Sequence, residues 1–133
     1  MGQKDEVLMI RVLLVDDQAV VRRALRVRFH LEPDLEVVGE ASTGREALTL
    51  AQALTPDVVL MDIQMPGMDG LEATRRLRAE SDPAVAATPV IALTALTMPG
   101  DQERCLAAGA NAYLPKPVRL RTLLQTIEAQ LKG

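Results

Sequence analysis

Tryptophan is absent from this chain, and tyrosine and phenylalanine occur once each, so indole fluorescence cannot report on binding. A single cysteine, Cys105, excludes an internal disulfide and suits a reducing compartment. The one histidine, His30, falls near the end of a helix and reads as a surface residue, since phosphohistidine carriers are helical bundles and this chain is rich in strands. Hydrophobic residues make up 48% of 133, yet none of their runs approaches the ~18 residues of a membrane span. No charged-then-apolar leader opens the chain, and Glu6 stands where myristoylation would need Ser or Thr, so a cytoplasmic domain with no membrane partner is expected. A net charge of −3 gives no general attraction to nucleic acid. No Gly-x-Gly-x-x-Gly or Walker pattern occurs, which removes support for nucleotide binding. Of three lysines, Lys4 and Lys132 lie near the termini and Lys116 alone falls inside the fold.

What is present is a regular alternation. Residues 1–9 read as a polar tail, and 10–133 as one domain large enough to bury a core. The apolar run Ile10–Val15 predicts a strand, followed by a helix over about Gln18–His30 with Val20, Val21, Ala24, Leu25 and Val27 toward the sheet and Arg22, Arg23 and Arg26 outward. Leu35–Ala41 is mixed in polarity and predicts an edge strand. Thr43 and Glu46 have capping-box spacing for a second helix, which Pro56 stops. Val58–Asp62 predicts a central strand, Leu71–Glu80 a third helix and Val90–Thr94 another central strand. A weak fourth helix is expected from about Thr97 to Ala108, with Gly109 as its stop. Ala112–Leu114 predicts a short edge strand, and Leu120, Leu123, Leu124, Ile127 and Leu131 mark the apolar face of a final helix. Five strand–helix repeats predict an α/β fold, a flavodoxin-like doubly wound parallel sheet; right-handed crossovers with the most apolar strands inside give the order 2-1-3-4-5.

That order makes the first and third strands neighbours where the winding reverses. Both end in carboxylates, Asp16-Asp17 and Asp62, which then converge in one crevice. Two such charges ~4 Å apart repel by about 4 kcal/mol at an effective dielectric of ~20, so the cluster must take up a proton or a cation. Oxygen donors without Cys or His select a hard ion, and Mg²⁺ fits an open octahedral set. Asp17 as a cap of the first helix would explain one carboxylate but not Asp16 and Asp62. Thr94 ends the strand beside the third, and Lys116 follows the last one. A hydroxyl, an ammonium and Mg²⁺ around one carboxylate make a phosphoryl-transfer site with Asp62 as the attacking group.

Val15-Asp16-Asp17, Met61-Asp62 with Met65-Pro66-Gly67-Met68-Asp69-Gly70, Thr94-Ala95 and Lys116-Pro117, in this order and these contexts, resemble the receiver domain of bacterial two-component response regulators, of which the chemotaxis regulator is the familiar single-domain member. The resemblance covers Arg11 to Leu131. It implies that Asp62 accepts phosphate from a histidine kinase or phosphotransfer protein. It also implies that Asp17, Asp62 and the Gln64 carbonyl bind Mg²⁺, with Asp16 helping through water, and that Lys116-Pro117 is cis. Thr94, Lys116 and the strand-end aromatic Tyr113 would then form the switch. The face built by the fourth predicted helix, the fifth strand and the final helix would address an effector. Swinging such a switch from rare to dominant takes about 5.5 kcal/mol. Gln64 and Leu96 match positions that flank the phosphoryl group and tune its hydrolysis; an apolar Leu96 offers no group to position an attacking water. The resemblance implies a signalling domain rather than an enzyme, without direct nucleic-acid contact, and admits a homodimer formed on phosphorylation. A module cut from a hybrid kinase or DNA-binding regulator is the alternative to a free-standing regulator. A haloacid-dehalogenase-type phosphohydrolase is remote, because such enzymes need an Asp where Gln64 stands.

Overall fold

Three runs of aliphatic residues, Ile10–Val15 (β1), Val58–Asp62 (β3) and Val90–Thr94 (β4), form the middle of a five-stranded parallel sheet. Leu35–Ala41 (β2) and Ala112–Pro115 (β5) flank them in the order β2-β1-β3-β4-β5, as the hydrophobicity of the strands predicted. The computed structural model describes residues 9–95 and 99–132; the expected tail therefore lies outside the described residues except for Met9. All of β3 and β4 is buried, because helices cover both faces of a parallel sheet.

Side chains alternate across each strand and so divide the core in two. Val12, Leu14, Val58, Leu60, Ile91 and Leu93 meet helices Ala19–His30 (α1) and Leu120–Lys132 (α6). Leu13, Val15, Val59, Met61, Val90 and Ala92 face the opposite layer, built from Gly44–Leu54 (α2), Gly70–Arg78 (α3), Pro83–Ala86 (α4) and Asp101–Ala108 (α5).

The helices begin where local chemistry starts them. Thr43 caps α2 by accepting the Glu46 N–H at 3.0 Å, while the Glu46 carboxylate reaches back to the Ser42 N–H at 2.8 Å. Asp69 caps α3 through the Glu72 N–H at 2.9 Å. Gly109 ends α5 at φ 111°, a conformation that disfavours any Cβ.

The structure departs from the sequence reading in several places. On α1, Val20, Ala24 and Val27 point into solvent rather than toward the sheet; Leu25 packs inward as expected, joined by the fully buried Phe29. Arg22 is not outward: it lies half-buried, paired with Glu40 at 3.0 Å and donating to the Asp16 carbonyl at 2.6 Å. The connection after α3 contains the short α4, started by Asp82 accepting the Ala84 N–H at 3.0 Å with Pro83 in the first turn. Finally, α5 begins at Asp101, and Thr97 and Met98, expected in its first turn, lie outside the described residues. Leu123 and Ile127 anchor α6 as expected, whereas Leu131 is exposed at its end.

Candidate functional site

The sheet register carries the site. Val15 lies opposite Met61, Asp62 opposite Leu93 and Thr94 opposite Pro115, so Asp16, Asp62, Thr94 and Lys116 all sit at the C-terminal rim of adjacent strands. Backbone bonds hold that rim: Asp16 N–H to Ala41 O at 3.1 Å, Ile63 N–H to Leu93 O at 2.9 Å, and Lys116 N–H to Thr94 O at 2.7 Å. The Lys116-Pro117 peptide is cis, as the resemblance implied.

Asp16, Asp17 and Asp62 each offer an oxygen within 4.8 Å of the others. Asp16 and Asp62 are buried, and Asp17 is exposed at the mouth. Three oxygen donors without nitrogen or sulfur fit a hard divalent cation. Asp17 is not the N-cap of α1, which is Gln18; the Gln18 N–H is instead accepted by Asp16 at 2.9 Å. The capping alternative therefore does not account for Asp17.

Lys116 enters the same space. Its ammonium lies 2.9 Å from Asp16 and 3.4 Å from Asp62, so its shorter contact is with Asp16 and not with the central carboxylate. Burial and the neighbouring charge of Asp16 push the Asp62 carboxyl above its usual range, against the opposing pull of Lys116 and of the Gln64 N–H. Burial pulls the Lys116 ammonium down, but the hydrogen bond to Asp16 and the charges of Asp62 and Asp16 outweigh it and hold its pKa above the usual value.

The remaining expected residues divide. Thr94 is buried at the end of β4, beside β3. Gln64, two residues past Asp62, turns its side-chain amide onto the β4 end: Nε2 donates to Thr94 Oγ1 at 2.8 Å, and Oε1 accepts the Ala95 N–H at 3.2 Å. Tyr113 is partly buried against the α2/α3/α5 layer, one strand away from the carboxylates, and burial followed by the charge of Asp101 raises its phenol pKa. Leu96 lies outside the described residues. Sequence reasoning missed the Arg22 guanidinium, which bonds the Asp16 carbonyl and ties the first acidic segment to Glu40 of β2. An Arg two turns before the end of an amphipathic helix carries no local sign of such a partner.

Comparison with known proteins agrees with this geometry. The profile of the response regulator receiver domain matches residues 12–128. The transcriptional regulatory protein LiaR of Bacillus subtilis is 44% identical over 126 residues, which cover 94% of this chain and 57% of LiaR. A protein-glutamate methylesterase/protein-glutamine glutaminase of Nocardioides is 41% identical over 121 residues, 90% of this chain and 32% of that protein. Among solved structures, the response regulator domain of Thermotoga maritima CheB superposes with a TM-score of 0.82 at 34% identity, covering 94% of this chain and 98% of that one. The chain thus spans about half the length, or less, of these curated relatives. With its 2-1-3-4-5 sheet, its rim of acidic side chains and a family match over nearly its whole length, the chain belongs to the response regulator receiver domains.

Proposed function

We propose that Asp62 is the phosphoacceptor of this receiver domain and takes its phosphoryl group from a phosphohistidine of a sensor kinase or phosphotransfer protein. The observation that carries this reading is a buried carboxylate at the end of the central strand, 3.4 Å from a lysine ammonium and clustered with two further carboxylates. An Asp62 oxygen attacks phosphorus; the new O–P bond forms as the donor's N–P bond breaks, and the imidazole leaves with the bonding pair. Lys116 supplies a positive charge where negative charge accumulates, and Thr94 supplies a hydroxyl beside it. Asp17, Asp62 and the Gln64 carbonyl, with Asp16 through water, are the groups that would hold Mg²⁺, which would offset charge on the phosphoryl oxygens. The output face comprises α5, β5 with Tyr113, and α6, and a downstream effector would read it. Such a domain works as a cytoplasmic signalling module, not as an independent enzyme.

The like charges in the site make a measurable prediction. A carboxyl held above its ordinary pKa opposes folding while ionised, so Asp62→Asn in metal-free buffer at neutral pH is expected to be more stable than the wild type. Millimolar Mg²⁺ should raise the wild-type melting midpoint and narrow that gap, because a ligand bound only by the native state stabilises it. Equal Mg²⁺ shifts in both proteins would remove the ion from this cluster. The direct test of function is intact-mass spectrometry after incubation with Mg²⁺ and acetyl phosphate. The wild type should gain one phosphoryl group and Asp62→Asn none; an adduct of equal yield in the variant would place the acceptor elsewhere.

A further inference from the structure

The contact between Gln64 and the end of β4 is not needed to hold a metal or to receive a phosphoryl group, yet it occupies polar groups beside the acceptor. The Ala95 N–H can only donate, which fixes Oε1 of Gln64 toward it and leaves Nε2 to donate to the Thr94 hydroxyl. One exposed side chain thereby bridges two consecutive residues across two loops, from the residue two beyond Asp62 to the first residue beyond β4. The Thr94 main chain is tied at the same point, its carbonyl accepting the Lys116 N–H at 2.7 Å.

We propose that the Gln64 amide is a latch on the resting domain: it holds Thr94 and Ala95 in place of a phosphoryl oxygen, and phosphorylation must displace it. This rests on Asp62 being the acceptor and deepens that reading by naming what opposes charging. An acceptor oxygen entering beside Asp62 and reaching the Ala95 N–H competes with Oε1 for that single proton. The latch therefore lowers apparent affinity for the phosphoryl group by the fraction of molecules in which it is open. Because Gln64 is exposed, water competes for the same groups, and the penalty amounts to one ordinary net hydrogen bond, roughly a fivefold change.

The test uses Gln64→Met, which keeps the length of the side chain and removes both bonds, and Gln64→Glu, which keeps an acceptor for Ala95. In the metal- and phosphate-free protein, the Ala95 amide should exchange with solvent faster in the Met variant than in wild type and remain protected in the Glu variant, as read by ¹H–¹⁵N NMR. Titrated with beryllofluoride and Mg²⁺ as the phosphoryl probe, Gln64→Met should reach half-saturation at about one-fifth of the wild-type concentration. If wild type binds the probe and the Met variant binds it equally or more weakly, or Ala95 exchange is the same in both, the latch is overturned. If beryllofluoride fails to bind even the wild type, it is the acceptor reading that falls, and the competition with it.

Discussion

Gly70→Ala is expected to lose about 3 kcal/mol of stability, and part of its capacity for phosphorylation with it. Helix propensity alone points the other way, since Ala is favoured over Gly inside a helix by up to ~1 kcal/mol. The site overrides that preference. A Cβ at Gly70 would collide with the carbonyl oxygen of Asp62 and stand 2.9 Å from the Ile63 Cα and 3.0 Å from the Asp62 carbonyl carbon. These are backbone atoms at the end of a fully buried strand, and the Gly70 N–H donates to Ile63 O at 3.0 Å, so neither partner can swing aside like a flexible side chain. Overpacking ordinarily costs about 1–3 kcal/mol, and contact with main chain belongs at the top of that range. Urea denaturation followed by far-UV circular dichroism should show a lower midpoint at unchanged slope. The folded fraction should also accept less phosphate from acetyl phosphate, because the displaced backbone is the one that carries Asp62. A variant within 1 kcal/mol of wild type would show that α3 slides away from β3 freely.

Arg78→Met should be destabilising to a similar degree while leaving the chemistry of the folded molecule intact. The half-buried guanidinium donates to Ala86 O at 2.9 Å, Thr88 O at 2.8 Å, Gly109 O at 3.0 Å and Asn111 Oδ1 at 2.7 Å. Asn111 Oδ1 in turn accepts the Val90 N–H at 2.9 Å. One side chain thus ties α3 to the end of α4, to the turn after α5 and to the start of β4 and β5, the end of the sheet remote from the carboxylates. Methionine fills the space but leaves four acceptors without this donor; removing charged hydrogen bonds of this kind costs about 3 kcal/mol in total even after partial hydration. For a domain of this size the melting midpoint should fall by roughly 10 °C. Lysine, a point charge without the planar fork, should recover only part of the loss. Asp62 phosphorylation per folded molecule should match wild type; a loss there would mean that the two ends of the sheet are coupled.

The strand order and the carboxylate cluster were legible because both are written in short, strongly patterned segments. Val58–Asp62 and Val90–Thr94 are apolar throughout and end in polar side chains, so burial, strand direction and the location of the site follow together. The α1 face was not legible in the same way. Valines at 20, 21 and 27 span too wide an arc for one buried stripe, and the choice falls to the spacing of Val21, Leu25 and Phe29, whose largest member fills the core. Arg22 reads as solvated until Glu40 of the neighbouring strand is placed opposite it. The Gln64 amide and the Arg78 fork belong to the same class. Each reaches partners 30 or more residues away, Thr94 and Ala95 for one and, besides the nearer Ala86 and Thr88, Gly109 and Asn111 for the other, and no periodicity announces them.

The contact between Lys116 and Asp16 joins residues 100 positions apart. A chain emerging from the ribosome therefore holds every acidic group of the rim well before it holds the ammonium that sits among them. Until β5 has docked on β4, the nascent domain carries clustered anions without their organic counterion. On the proposal that Asp62 is the acceptor, competence to be charged becomes a sign that the last strand has taken its place.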